Sequence, residues 1–285
     1  MPGLPSLPTD VALPVLLAAV LHASWNAIAK SGASKLLDIT TMTLAAGALC
    51  AVVLPFLPAP ARASWPWLVA SVLLHFFYFT ALAGAYRWGE LSHAYPLMRG
   101  IAPLLVALFG ALLLQEPLGV AMWAGVLLIC AGIVLPFLLH PAALGIPGKG
   151  TLFALANSAI IAGYTLVDGQ GARLSANPVA YSLWLFVLNA FPLAALALIR
   201  HRGGVWRHMR QRWAAGAIGG VLTIASYTIV LWAMTRAPIA AVAALRETSV
   251  IFAALIGSVL LREQMGRPRV AGAIVVACGI AALRL

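Results

Sequence analysis

The sequence predicts an all-α polytopic membrane protein, with about ten transmembrane helices arranged as two inverted five-helix repeats. Three observations predict it. The 285 residues are 63% hydrophobic and only 9% charged, with a mean hydropathy of +0.99, whereas soluble domains are roughly 45–50% apolar. Apolar segments of about 20 residues recur between short polar breaks, the length that a hydrocarbon core about 30 Å thick demands of a spanning helix. The second half of the chain also superposes on the first.

In the first half the apolar segments are residues 11–29, 36–57, 67–86, 91–114 and 120–139. In the second they are 150–167, 179–199, 214–234, 239–261 and 270–283, the last being short and extended to the interface by Arg269 and Arg284. Apolar residues surround these segments without the alternation of an outer-membrane strand, and each is about twice as long as such a strand needs, which argues against a β-barrel. Helices satisfy their own backbone in lipid. The opening "MPGLPSLPTD" has no lysine or arginine ahead of the first apolar run, and no convincing small-residue cleavage site follows that run, so the first helix is expected to stay uncleaved. No soluble domain is expected.

Cys50, Cys130 and Cys278 all fall inside predicted spans, are odd in number and lack metal-ligand spacing, so neither disulfides nor a zinc site are indicated and packing is expected. The net charge of +11 is read as an orientation signal on loops rather than a nucleic-acid surface, because no basic, aromatic-studded domain exists. No cofactor, metal or nucleic-acid partner is expected.

The repeat fixes the architecture. "SHAYPLMRGIAPLLVALFGALLLQEPLGVAMWAGVLLICAGIVL" (92–135) aligns without gaps on "IAAVAALRETSVIFAALIGSVLLREQMGRPRVAGAIVVACGIAA" (239–282). The same shift sets Arg99 on Arg246, Gly110 on Gly257, Glu116 on Glu263, Gly125 on Gly272 and Gly132 on Gly279. Each half holds an odd number of spans, so the second enters the membrane from the opposite side, which gives inverted repeats and suits alternating access. The expected division is 1–142 and 143–285, joined through "HPAALGIPGKG", whose prolines and glycines break helices.

Odd-numbered loops carry twelve basic residues, from Lys30 and Lys35 to Arg267 and Arg269, whereas the even loops and tail carry only Arg62, Arg173, Arg236 and Arg284. The positive-inside rule therefore places the odd loops in the cytoplasm and both termini outside.

Arg99 and Arg246 each stand about eight residues into a span, or about 12 Å deep, and inversion brings them to within about 6 Å of each other in depth. A guanidinium at that depth costs at least about 2.5–3.5 kcal/mol on insertion scales, so it faces protein or water and needs a partner. Two readings stand side by side. Each arginine caps carbonyls or pairs with a carboxylate such as Glu247, or the pair forms an electropositive midplane site for an anionic or zwitterionic solute. Glu247 follows Arg246 directly, so on one helix the two point about 100° apart and the carboxylate is expected to pair elsewhere, with a coupling proton as a further role.

In the first span, "HASWNAIAK" places His22, Asn26 and Lys30 on one face, with Trp25 beside them. In the sixth, "AGYTLVDG" gives Tyr164 and Asp168 the spacing of Asn26 and Lys30. These two charges fall near opposite membrane faces and read as gates or interface anchors. His75, Tyr78, Tyr86, Tyr227 and Trp232 either line the cavity or pack. Glu116 and Glu263 read as interfacial helix caps. Gly125 with Gly132, and Gly272 with Gly279, allow close helix contact, internal or in a homodimer.

Ten spans, the five-plus-five duplication, the tryptophan-bearing first helix and the paired endings "LLLQEPLGVAMWAGVLLICAGIVL" and "VLLREQMGRPRVAGAIVVACGIAAL" together resemble the EamA-type branch of the drug/metabolite transporter superfamily across nearly the whole chain. The resemblance implies a central cavity lined by spans one, three, four, six, eight and nine, with the fifth and tenth at the periphery. Relatives that move sugar phosphates and other anions place basic side chains at similar depths. Cation exporters carry an acidic residue in the first helix, and residues 11–29 contain none. The resemblance also implies cytosolic termini, against the loop charges.

The expected function is therefore secondary transport, in either direction, of a small metabolite bearing a carboxylate, phosphate or phosphonate, in a bacterial inner membrane. The expected site is Arg99, Arg246, Glu247, His22, Trp25, Asn26, Tyr78 and Tyr164, with Lys30 and Asp168 gating or coupling. The alternatives are export of amino acids or drug-like compounds, and a non-transporting scaffold or sensor. No G-x-x-x-x-G-K-[ST], H-E-x-x-H or G-x-S-x-G motif and no close intramembrane carboxylate pair is present, so an enzyme is not expected.

Overall fold

In the computed structural model, residues 7–32, 34–88, 91–139, 148–201, 204–260 and 266–285 are described. Among them every regular element is a helix. The first half contains α1 (Thr9–Lys30), α2 (Lys35–Val53), α3 (Trp65–Trp88), α4 (Leu91–Leu113) and α5 (Val120–Leu138). The second contains α6 (Lys149–Leu174), α7 (Pro178–His201), α8 (Gly204–Gln211), α9 (Trp213–Met234), α10 (Ile239–Arg246), α11 (Ser249–Leu260) and α12 (Arg267–Ala282). Eight helical stretches are long and apolar enough to cross a membrane, and α5 adds a shorter apolar run.

Three elements differ from the sequence expectation. The ninth span is interrupted between α10 and α11: Thr248 N bonds to Leu245 O, Val250 N to Glu247 O and Ile251 N to Thr248 O, so the ladder tightens to three-residue closure around Glu247. The sixth span does not stop at Val167 but continues to Leu174, and Asp168 lies within the helix and wholly buried. Finally, the connection after α7 folds into α8, which buries Val205 and turns Trp206 outward. Residues 140–147, which hold most of the expected linker 140–150, and residues 261–265, including Glu263, lie outside the described residues.

The packing shows the inversion. α3 lies on α6 as α1 lies on α9, α4 lies on α6 as α10 and α11 lie on α1, and α2 pairs with α7 as α5 pairs with α12. Exchanging the halves reproduces each contact. In the α5–α12 pair a Cβ on Gly132 would meet Gly272 O at 2.7 Å, and one on Gly279 would meet Gly125 O at 2.9 Å. Under the repeat Gly125 corresponds to Gly272 and Gly132 to Gly279, so the contacts are reciprocal, the signature of a two-fold relation. In the membrane plane such an axis makes the halves inverted repeats. The glycine stripes are thus used inside the chain, where absent side chains let two backbones touch.

Candidate functional site

The two halves enclose a cavity of about 210 Å³. It reaches close to the odd-loop ends of α1 and α2, at Asn26 and Ile39, but stops well short of the even-loop ends of α6 and α9, at Tyr164 and Tyr227. The even-loop end is tied across the halves. Arg173 pairs with Glu116 and donates to Met234 O at 2.7 Å and Ala237 O at 3.0 Å. Glu116 also accepts from Ile239 N at 3.0 Å, Ala61 N bonds to Ser175 O at 2.9 Å, and Leu7 N bonds to Leu283 O at 2.9 Å. Glu116 therefore caps the start of α10 in the other half, not the end of its own helix.

Arg99 and Arg246 both reach the cavity wall. Local backbone chemistry explains why each guanidinium is held there. Pro103 lacks the N–H that would bond to the Arg99 carbonyl, and Val250 N turns to Glu247 O instead of the Arg246 carbonyl, so both arginines stand at an interruption of the helical ladder. Arg246 ends α10, whose carbonyl dipoles favour a cation, while Glu247 precedes α11, whose first N–H groups favour an anion.

The two guanidinium groups share one carboxylate. Arg99 Nε lies 2.7 Å from Glu247 Oε2, and Arg246 Nη2 donates to Glu247 Oε1 at 3.1 Å. The neighbouring Arg246 and Glu247 pair, as one of the two readings of the arginines held, although adjacent positions on a helix were expected to send Glu247 elsewhere. The rule that consecutive residues diverge holds on an unbroken helix, and Glu247 lies in the break. Arg99 Nη2 also donates to His22 Nε2 at 3.2 Å.

Glu247 lies behind the arginines, 1% exposed, and is not on the cavity wall; neither is Asp168. Among the described residues the wall therefore bears two guanidinium groups and no carboxylate. Trp25 and Asn26 of α1 line it, with the His22 ring 5.0 Å from that of Trp25. From α3, His75 stacks on Tyr164 with ring centres 4.4 Å apart and Tyr78 meets Tyr164 edge-on at 6.0 Å. Lys30 is exposed at the end of α1, beyond the cavity. Trp232 also lies off the wall, its ring under the Arg236 guanidinium at 4.8 Å. The Tyr86 side chain is outside what is described. Asp168 is wholly buried beneath the cavity, where Tyr227 Oη donates to Oδ2 and Tyr181 Oη to Oδ1 at 3.5 Å.

The wall also includes residues that sequence reasoning did not single out. Ile39, Met42 and Thr43 of α2 and Leu185, Phe186 and Asn189 of α7 correct the expected set of lining helices, which omitted these two; α5 and α12 contribute none. Asn157 and Asn189 each turn a buried side-chain oxygen that finds no hydrogen-bond partner among the described residues. An asparagine within an apolar span was the available signal.

A solved structure entitled "Crystal structure of protein" has this fold, with a TM-score of 0.72 and 24% identity over 96% of this chain and 95% of that one. Comparison with curated proteins gives no match. The EamA-like transporter family, in contrast, matches residues 11–138 and again residues 148–285. A doubled helical bundle around a central cavity and a family match in each half lead to one assignment: the chain belongs to the EamA-like transporter family, within the drug/metabolite transporter superfamily.

Proposed function

We propose that this multi-pass membrane protein is a secondary transporter, resident in a bacterial inner membrane, that binds a small metabolite through an anionic group placed between Arg99 and Arg246. The cavity wall carries the reading: two guanidinium groups face a cavity inside the bundle, with the carboxylate they share behind them. Guanidinium forks match carboxylate and phosphate oxygens in shape and charge. A volume of about 210 Å³ lies below the roughly 300–1,000 Å³ of drug-sized pockets, which favours a metabolite over a drug. Asn157 and Asn189 add neutral amides to the wall, groups that can pair with a second polar group of the substrate, such as the ammonium of an amino acid. Rocking of the inverted halves about the seam would expose the site alternately.

The test is a panel of glutamate, phenylalanine, benzoate, methylphosphonate and inorganic phosphate, screened for thermal stabilisation of purified protein and for uptake into liposomes. At least one is expected to raise Tm and to move, and Arg99→Gln or Arg246→Gln should weaken its binding at least tenfold in protein that retains its fold. Unchanged affinity in both variants removes the arginines from the binding role. Stability shifts without movement across the bilayer would favour a sensor.

A further inference from the structure

We propose that Asp168 is the proton-carrying group of the transport cycle, taking up and releasing one proton at the floor of the cavity as the halves rock. This rests on the transporter reading above and assigns its coupling ion.

Position is the first argument. Asp168 lies on α6 about one turn beyond Tyr164, the deepest α6 residue on the cavity wall, toward the sealed even-loop end. It is wholly buried between the open cavity and the closed seal. A group at that depth meets solvent from one end now and would meet it from the other after the halves rock.

Surroundings are the second. The groups facing the carboxylate are Tyr227 of α9, Tyr181 of α7, and Ser71 and His75 of α3. Tyr164 stands on its own helix, and Ile239 of α10 covers the adjacent Gly169. Arg173, further along α6, is turned to Glu116 and two carbonyls. Among the described residues no guanidinium or ammonium contacts Asp168. Hydroxyl groups both donate and accept, so this shell can hold the carboxylate, which accepts from both tyrosines, and equally the neutral acid, whose O–H donates to a tyrosine oxygen. Glu247 differs: a proton there forfeits contacts to two arginines at once.

A route exists as well. Tyr227 and His75 both line the cavity and both face Asp168. When the Tyr227 O–H passes its proton to Asp168 and a hydronium ion in the cavity returns one to the tyrosine oxygen and leaves as water, the net change is one proton from solvent to the carboxylate, whose charge goes from −1 to 0. Release reverses these steps toward the even-loop end. Because α3 belongs to one half and α6, α7 and α9 to the other, the charge is added or removed at the seam that must slide.

The experiment needs no substrate. In liposomes, pH-difference infrared spectra between about pH 5 and pH 8 are expected to show a buried protonated-carboxyl band that shifts in D₂O and is lost in Asp168→Asn. Tyr227→Phe, which removes one bond to the carboxylate, should move the band's frequency and covers the case in which Asp168→Asn fails to fold. Absence of the band in wild-type protein across that range, or its survival unchanged in both variants, overturns the proposal. For any panel compound that is transported, a pH gradient should drive accumulation in wild type and not in Asp168→Asn, while exchange of the compound at equal pH persists. Gradient-driven accumulation intact in Asp168→Asn also overturns the proposal, whereas a panel that never moves counts against the transporter reading and leaves the infrared result to decide this one.

Discussion

At the scale of single residues, the shared carboxylate decides how the site responds to substitution. Glu247 is held by two guanidinium groups in a place with almost no solvent, and removing one partner of such a buried pair costs about 3–5 kcal/mol because charge is left uncompensated. Glu247→Gln is therefore expected to lower Tm more than Arg99→Gln, which leaves the Arg246–Glu247 pair intact. Inorganic phosphate should restore part of the loss in Glu247→Gln by standing in for the missing charge. A phosphate effect equal in wild type and variant would show that the ion does not enter between the arginines. That Arg99 and Arg246 need partners was legible in the sequence, because a charge inside an apolar run is rare enough to imply one. Their pairing through the adjacent Glu247 was not, since that depends on a break in α10–α11 that the unbroken apolar run conceals. Asn157 and Asn189 were missed for a related reason: hydrophobicity averaged over a span hides one neutral amide.

At the scale of elements, the repeat in sequence became a repeat in packing, and the spacing of seven between glycines that both halves share is where the two meet. Gly132 and Gly279 have partner backbone oxygens within 3 Å of where a Cβ would stand, so a side chain there must push α5 from α12. Gly132→Val is expected to destabilise by about 1–3 kcal/mol through overpacking, read as a lower Tm in detergent. Gly119→Ala, which would meet nothing within 4 Å, should leave Tm unchanged. Equal Tm values for the two variants would mean that α5 and α12 are not held together by this contact. The broken ninth span, the long α6 and the short α8 escaped the sequence reading because span length was taken from hydropathy. Hydropathy reads only how apolar a stretch is, and so ended the sixth span before Asp168, which the bundle buries against tyrosine hydroxyl groups.

For the whole molecule, the cavity near one end and the ties at the other are what the proposed alternating cycle requires of one of its two sides. The Arg173–Glu116 pair joins α6 to the α4–α5 connection across the halves, and the same arginine holds the carbonyls before α10. In that proposed cycle these bonds would form only while the even-loop end is shut, and would bias the equilibrium toward this state by their differential energy. A bias on the order of 1 kcal/mol corresponds to about a fivefold change in population. With the three native cysteines replaced, Ala237→Cys places a thiol beside the Arg173 contact at a position only 3% exposed. A membrane-impermeant maleimide should label it about five times faster in Arg173→Gln or Glu116→Gln than in the parent. Applied to intact cells and to inverted vesicles, the reagent also resolves the conflict between loop charge and family resemblance, because it reaches Ala237→Cys from whichever compartment the even-loop end faces. Labelling at one rate in all three proteins would show that the pair does not hold the seal, and the shared bonds of Ala61, Ser175, Leu7 and Leu283 would then be what keeps that end closed.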